Sequence, residues 1–205
     1  MRKLYKKAVC GMLGICLFAA AFQYRNDRLQ QDIADKILRF HVIANSDSKE
    51  DQQLKLKIRD SIGTYLQEKL QNVSSLNACI AIVEQEKTAI ETCAKEVMEQ
   101  EGVSYSVKAE IAQVDFPVKS YGTYTFPAGN YQALRVTIGE GEGKNWWCVM
   151  YPNMCFSGSM YEVVDEKAKE ELHAVLTEEE YQEIMAEGKI HVKFRYIERI
   201  FNKNE

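Results

Sequence analysis

The sequence predicts an α+β fold, a mostly antiparallel sheet packed against two long amphipathic helices, plus a short C-terminal helical segment and a final strand. Three observations lead there. Short segments alternate apolar and polar residues with a period of two, as half-buried strands do. Two longer segments repeat apolar residues at three- and four-residue steps. Helices and strands are segregated along the chain, and the strands are joined by short turn signals, which suits an α+β layer arrangement.

The first element is not part of that layer. Residues 1–7 carry Arg2, Lys3, Lys6 and Lys7, and residues 8–22 form a 15-residue run without a charge or an amide. As a helix this run reaches about 22 Å, short of the ~30 Å of a hydrocarbon core. Length, basic flank and the small residues Ala19, Ala20 and Ala21 read as a signal peptide or an N-terminal membrane anchor over residues 1–22. Cys16 has the setting of a lipoprotein cysteine, but Ile15 before it is large for that role. In each version the positive flank stays inside, and residues 23–205 are expected to form a single extracytoplasmic α+β domain.

Leu38, Phe40, Val42 and Ala44 alternate with Arg39, His41 and Ile43, a strand that ends in Asn45-Ser46-Asp47-Ser48. Ser48 with Asp51 resembles a capping box with Asp in place of Glu. The helix behind it carries Leu54, Ile58, Ile62, Tyr65, Leu66 and Leu70. Ser74-Ser75 opens a second helix, with Leu76, Ile80, Val83, Ile90, Ala94 and Val97, and Gly102 stops it. Residues 105–114 then read as a strand, 127–130 (Pro-Ala-Gly-Asn) as a turn, and Gln132, Leu134, Val136 and Ile138 as one face of the next strand. Residues 139–145 read as a long, mobile glycine-rich hairpin loop, and 146–151 as another strand. Residues 165–176 return to helix. Thr177 with Glu180 forms a capping box for a helix that ends at Gly188, and residues 189–200 make the last strand.

Charge narrows the function. The chain has 26 basic and 30 acidic residues, net −4. Without Arg2, Lys3, Lys6 and Lys7 the balance is 22 against 30, so the body stands at −8. An acidic body excludes a phosphate-tracking nucleic-acid binder. It also disfavours direct contact with an anionic membrane, which leaves the membrane to the N-terminal segment or to a partner.

Of the six cysteines, Cys10 and Cys16 lie in the export segment. Cys79 and Cys93 are 14 residues apart on a helical pattern. On an unbroken helix that is about 21 Å, against the ~7 Å a bridge allows. They pair only if the helix breaks, for which Glu84-Gln85-Glu86 is the candidate point; otherwise they are small core residues. Cys148 and Cys155 are seven apart across Pro152-Asn153, a chain-reversal signal, and are expected to be bridged. A loop of that size contributes roughly 2–3 kcal/mol in the chain-entropy picture.

The chemistry-bearing motifs are few. Gly139-Glu140-Gly141-Glu142-Gly143-Lys144-Asn145 has glycines misspaced for a P-loop, two carboxylates that repel phosphate, and Asn145 where Ser or Thr belongs. Asn45, Asp47, Glu50 and Asp51 cluster oxygens but break the calcium-loop spacing, so no metal and no cofactor are expected. His41, His173 and His191 stand near no recognisable nucleophile motif. Trp146 and Trp147 are neighbours on a strand and so face opposite ways. They are either core residues on two packed faces or a protein-contact hot spot, where Trp is enriched.

Residues 41–60 (HVIANSDSKEDQQLKLKIRD) and 114–155 (VDFPVKSYGTYTFPAGNYQALRVTIGEGEGKNWWCVMYPNMC) resemble the two hallmark blocks of the stage II sporulation protein R family. Order, separation and the export segment also agree, and the resemblance covers roughly residues 35–160. It implies an exported signal, without enzymatic activity, in the space between forespore and mother-cell membranes. There the family triggers a membrane-embedded aspartic protease of the mother cell, which cleaves a sigma-factor precursor. No catalytic residues carry over. The blocks map onto Asn45, Ser46, Asp47, Ser48, Asp51, Gln52, Gly139, Glu140, Gly141, Glu142, Gly143, Asn145, Trp146, Trp147 and Cys148. Of these, Asn45, Asp47, Asp51, Glu140, Glu142, Asn145, Trp146 and Trp147 are the candidate partner contacts. The alternative from another class is an extracytoplasmic envelope hydrolase with a cryptic site.

Overall fold

The computed structural model describes residues 2–154 and 166–185. The expected final strand at 189–200, the stop at Gly188 and Cys155 lie outside the described residues.

The helix α1 (Arg2–Ala34) runs unbroken from the basic, apolar N-terminal segment into the body. Residues 11–25 are exposed on every side, whereas Leu29 is half-buried and Ile33 and Ala34 are buried. Among the described residues no helix is long and apolar enough to cross a membrane.

Strand β1 (Leu38–Ile43) follows, then α2 (Lys49–Leu70), α3 (Leu76–Gln85) and α4 (Lys87–Gln100). Ser48 caps α2 by accepting the Asp51 N–H at 3.1 Å, and Ser75 caps α3. The second predicted helix is therefore two. It breaks at Glu86, whose side chain turns to α2, accepting from the Tyr65 hydroxyl and pairing with Lys69 at 3.4 Å. The break lies in the polar run that separates Cys79 from Cys93, yet both thiols are free. Gly102, at φ +70°, ends α4 in a Schellman arrangement: the Val103 N–H donates to Met98 O and the Gly102 N–H to Glu99 O.

Strand β2 (Val107–Phe116) is followed by a short hairpin that the periodicity does not announce, β3 (Lys119–Tyr121) and β4 (Tyr124–Phe126). Strand β5 (Gly129–Ile138) begins inside the expected turn, and β6 (Asn145–Tyr151) completes the sheet. The capping box at Thr177 holds: the Thr177 N–H donates to Glu180 at 2.6 Å. It separates α5 (Glu166–Val175) from α6 (Glu178–Met185).

The four-stranded sheet has the order β2-β5-β1-β6. β2 and β6 pair antiparallel with their neighbours, while β1 and β5 are parallel. One face packs on α2, α3 and α4 through Phe40, Val42, Leu134, Val136 and Met150 against Ile58, Ile62, Leu66, Val83, Ile90 and Ala94. The other face is covered too. Phe116, Tyr131, Ala133 and Val149 pack beneath the end of α1, the β3–β4 hairpin and α5–α6. The ion pair Lys36–Glu180 at 2.6 Å ties the chain just after α1 to α6. Both faces of β1 are thus buried, including Arg39 and His41 on what the alternation reads as its wet side.

Candidate partner-contact site

Sheet topology brings the two sequence blocks together. Parallel pairing of β1 and β5 places Ile43 opposite Thr137, so both strands leave the sheet at the same end. β6 enters at that end, with Asn145 opposite Ile43. The turn after β1, the loop after β5 and the first residues of β6 therefore share one edge.

The glycine-rich loop is not a hairpin, because β1 lies between the strands it joins. It crosses the end of β1, and hydrogen bonds hold it there. The Gly143 N–H donates to Ala44 O at 2.9 Å and the Glu142 N–H to Asn45 O at 3.1 Å. The Glu140 N–H donates to Asn45 Oδ1 at 3.0 Å, and the Lys144 N–H to Asp47 Oδ1 at 2.7 Å. Lys55, buried on α2, closes the other side by donating to Lys144 O at 2.7 Å. Two of the glycines answer to contact rather than to mobility. A β-carbon on Gly139 would lie 2.1 Å from Asn45 Oδ1, and one on Gly143 would lie 2.2 Å from Ser46 O.

Asp51 anchors the turn beneath. It is 7% exposed and accepts from Ser46 Oγ at 2.6 Å and Asn45 Nδ2 at 2.9 Å. The Ser46 hydroxyl, then Asn45, Tyr105 and Ser48, hold its carboxyl below the usual carboxylate range. A reciprocal capping box would send this carboxylate to the Ser48 N–H; that donor goes to Ser46 Oγ instead, at 3.2 Å. Asp51 is thus a buried strut, while Asp47, Glu140, Glu142, Lys144 and Asn145 are exposed.

The two tryptophans divide between the faces. Trp146 meets Phe40 edge-on at 5.4 Å on the helix side, with the Arg59 guanidinium 5.0 Å over its ring. Trp147 stacks on His41 at 3.9 Å and tilts against Phe116 at 4.5 Å on the other side. Each is half-buried, so each packs on a core and still presents part of its ring at the sheet's end strand. His41 Nε2 lies 3.0 Å from Asn145 Oδ1, and burial lowers its pKa to about 4, so it is neutral near pH 7. His173 stacks on Tyr181 at 3.5 Å, and His191 lies outside the described residues. Among the described residues no group of three or more His, Cys, Asp or Glu is placed to hold a metal.

Sequence reasoning missed Lys55 and Arg59 as parts of this edge. The signal was present: Asp51, Lys55 and Arg59 recur every four residues beside the apolar stripe of α2, so they share its buried flank.

The block residues thus form one continuous edge. Residues 34–161 match the family described as Stage II sporulation protein R (spore_II_R). The chain belongs to that family. It is also similar to the stage II sporulation protein R of Bacillus subtilis (strain 168), 36% identical over 157 residues, which span 76% of this chain and 70% of that protein. No solved structure matches it. As a member of the stage II sporulation protein R family, it is a sporulation protein. The family match runs from the last turn of α1 to beyond β6, so it takes in the whole sheet and both halves of the edge.

Proposed function

We propose that this protein is an exported sporulation signal that activates a membrane-embedded aspartic protease of the mother cell, leading to cleavage of a sigma-factor precursor. It acts by contact and not by catalysis, from the space between the forespore and mother-cell membranes. Residues 1–22 direct export, as a cleaved signal or as an anchor, and residues 23–205 are the working domain. Cys148 and Cys155 are bridged across the chain reversal at Pro152-Asn153. The contact surface is the edge built by Asp47, Glu140, Glu142, Asn145, Trp146 and Trp147, with Asn45 and Asp51 holding it from below.

One observation carries this reading. The two hallmark blocks, some ninety residues apart, combine into a braced edge whose outward residues are charged, amide or aromatic. A rigid loop presenting partly exposed indoles suits protein contact, because such anchors lose little entropy on binding. The test is co-production of the protein, routed across the membrane, with the protease and its substrate. Processing above the level seen without the protein is expected, and its absence would refute the reading.

A further inference from the structure

β1 holds a buried cation with no counter-charge paired to it among the described residues. Arg39 is 0% exposed, on the sheet face covered by α1, the β3–β4 hairpin and α5–α6. Its guanidinium lies 4.4 Å from the Phe116 ring centroid, 5.0 Å from Tyr131, 5.3 Å from Phe126 and 5.7 Å from Tyr121. Nη2 donates to the Tyr121 hydroxyl at 3.2 Å, whereas Nε and Nη1 have no acceptor among the described residues. His41 Nδ1, two residues on and also against Phe116, is the one other buried side-chain polar atom among the described residues without a partner.

The other buried charges are accommodated. Lys36 meets Glu180, Lys55 donates to Gln52 and Lys144 O, Arg59 meets Asp60, and Asp51 accepts from Ser46 and Asn45. Four aromatic faces attract a guanidinium, but they accept no hydrogen bond in its plane and do not neutralise it. The two orphan donors of Arg39, left without protein acceptors in an apolar enclosure, call for an anion; the neutral His41, with Nε2 against Asn145 Oδ1, adds no donor to them.

We propose that the Arg39 enclosure is a binding site for one small monovalent anion, a halide or a free carboxylate such as acetate. One guanidinium supplies one positive charge, so a multivalent anion would itself be left uncompensated. The orphan atoms are sealed from the surface beneath rings of β2, β3, β4 and β5, so the occupant is taken up as the protein folds. A side chain on a macromolecular partner has no such entry.

The whole protein is titrated with sodium bromide, and separately with sodium acetate, at constant ionic strength set by bulky methanesulfonate. The melting temperature is read for the native protein and for Arg39→Met. The native protein is expected to gain about 5 °C at a hundredfold excess over Kd. Arg39→Met is expected to gain nothing and, without the anion, to be at least as stable as the native protein. A response to bromide alone identifies a halide site, and a response to acetate as well identifies one that also takes carboxylates. Equal responses in both proteins would be a general salt effect and would overturn the proposal. Should Arg39→Met not fold, native protein refolded and then crystallised in bromide decides. An anomalous peak against Nε or Nη1 supports the site, and its absence there overturns it.

Discussion

The side-chain oxygen of Asn45 occupies the place a β-carbon on Gly139 would need, 2.1 Å away. That contact, between a residue leaving β1 and one leaving β5, locks the two hallmark blocks together. Gly139 is doubly constrained, since its φ of +57° is one that L side chains rarely adopt.

Gly139→Ala is therefore expected to destabilise the protein by about 3 kcal/mol, combining left-handed strain with displacement of Asn45. Gly102→Ala is the control. Its φ is +70°, but nothing lies within 4 Å of the added carbon, so about 1 kcal/mol is expected. Urea unfolding of both checks the difference. Equal losses would show that the Asn45 contact contributes nothing.

His41 makes stability pH-dependent. Its folded pKa, about 4, lies below the ordinary 6.5, so between these values the unfolded chain binds more protons. The stabilisation is fully present above pH 6.5 and is lost as pH falls from there towards 4, to the extent of about 3 kcal/mol. Asp51, whose carboxyl is also depressed, adds a second loss at lower pH, as pH falls from 3.8 through its folded value. Denaturation at pH 7 and pH 4.5 is expected to show the His41 loss in the native protein and not in His41→Phe. If the slope persists in that variant, another group is responsible.

Glu140 and Glu142 are exposed on the loop, and among the described residues their backbone N–H groups make bonds that brace it. Replacing both by Ala is expected to change stability by less than about 0.5 kcal/mol. Precursor processing in the co-production assay is expected to fall several-fold. Unchanged processing would remove these carboxylates from the contact surface.

Cys148 and Cys155 are expected to resist thiol labelling in the exported protein until it is reduced. Labelling of either before reduction would refute the bridge. Reduction is expected to cost roughly 2–3 kcal/mol of stability.

The four strands of the main sheet and the caps were legible in the sequence because they rest on local physics, whereas the short β3–β4 hairpin was not. Ser48, Ser75, Gly102 and Thr177 act where the caps place them, β1, β2 and β5 fall on the alternating runs, and β6 falls on the segment read as a further strand. The break at Glu86 was hidden because both halves keep a helical period. Only the turn of Glu86 towards Tyr65 and Lys69 of α2 separates them.

By itself the sequence determined an acidic α+β body behind a basic apolar segment, and two blocks specific enough to indicate the family. It did so because periodicity, capping and composition act over a few residues. Tertiary structure alone decided that the blocks form one edge, that the glycine-rich loop is a braced crossing, and that Arg39 is buried. Strand order is set by pairings between residues almost a hundred positions apart, such as Phe40 with Leu134. No local pattern encodes which strand lies between which. A charged residue on the alternate side of a strand reads as solvent-facing until a second layer covers that side, and here the end of α1 and the β3–β4 hairpin supply the cover.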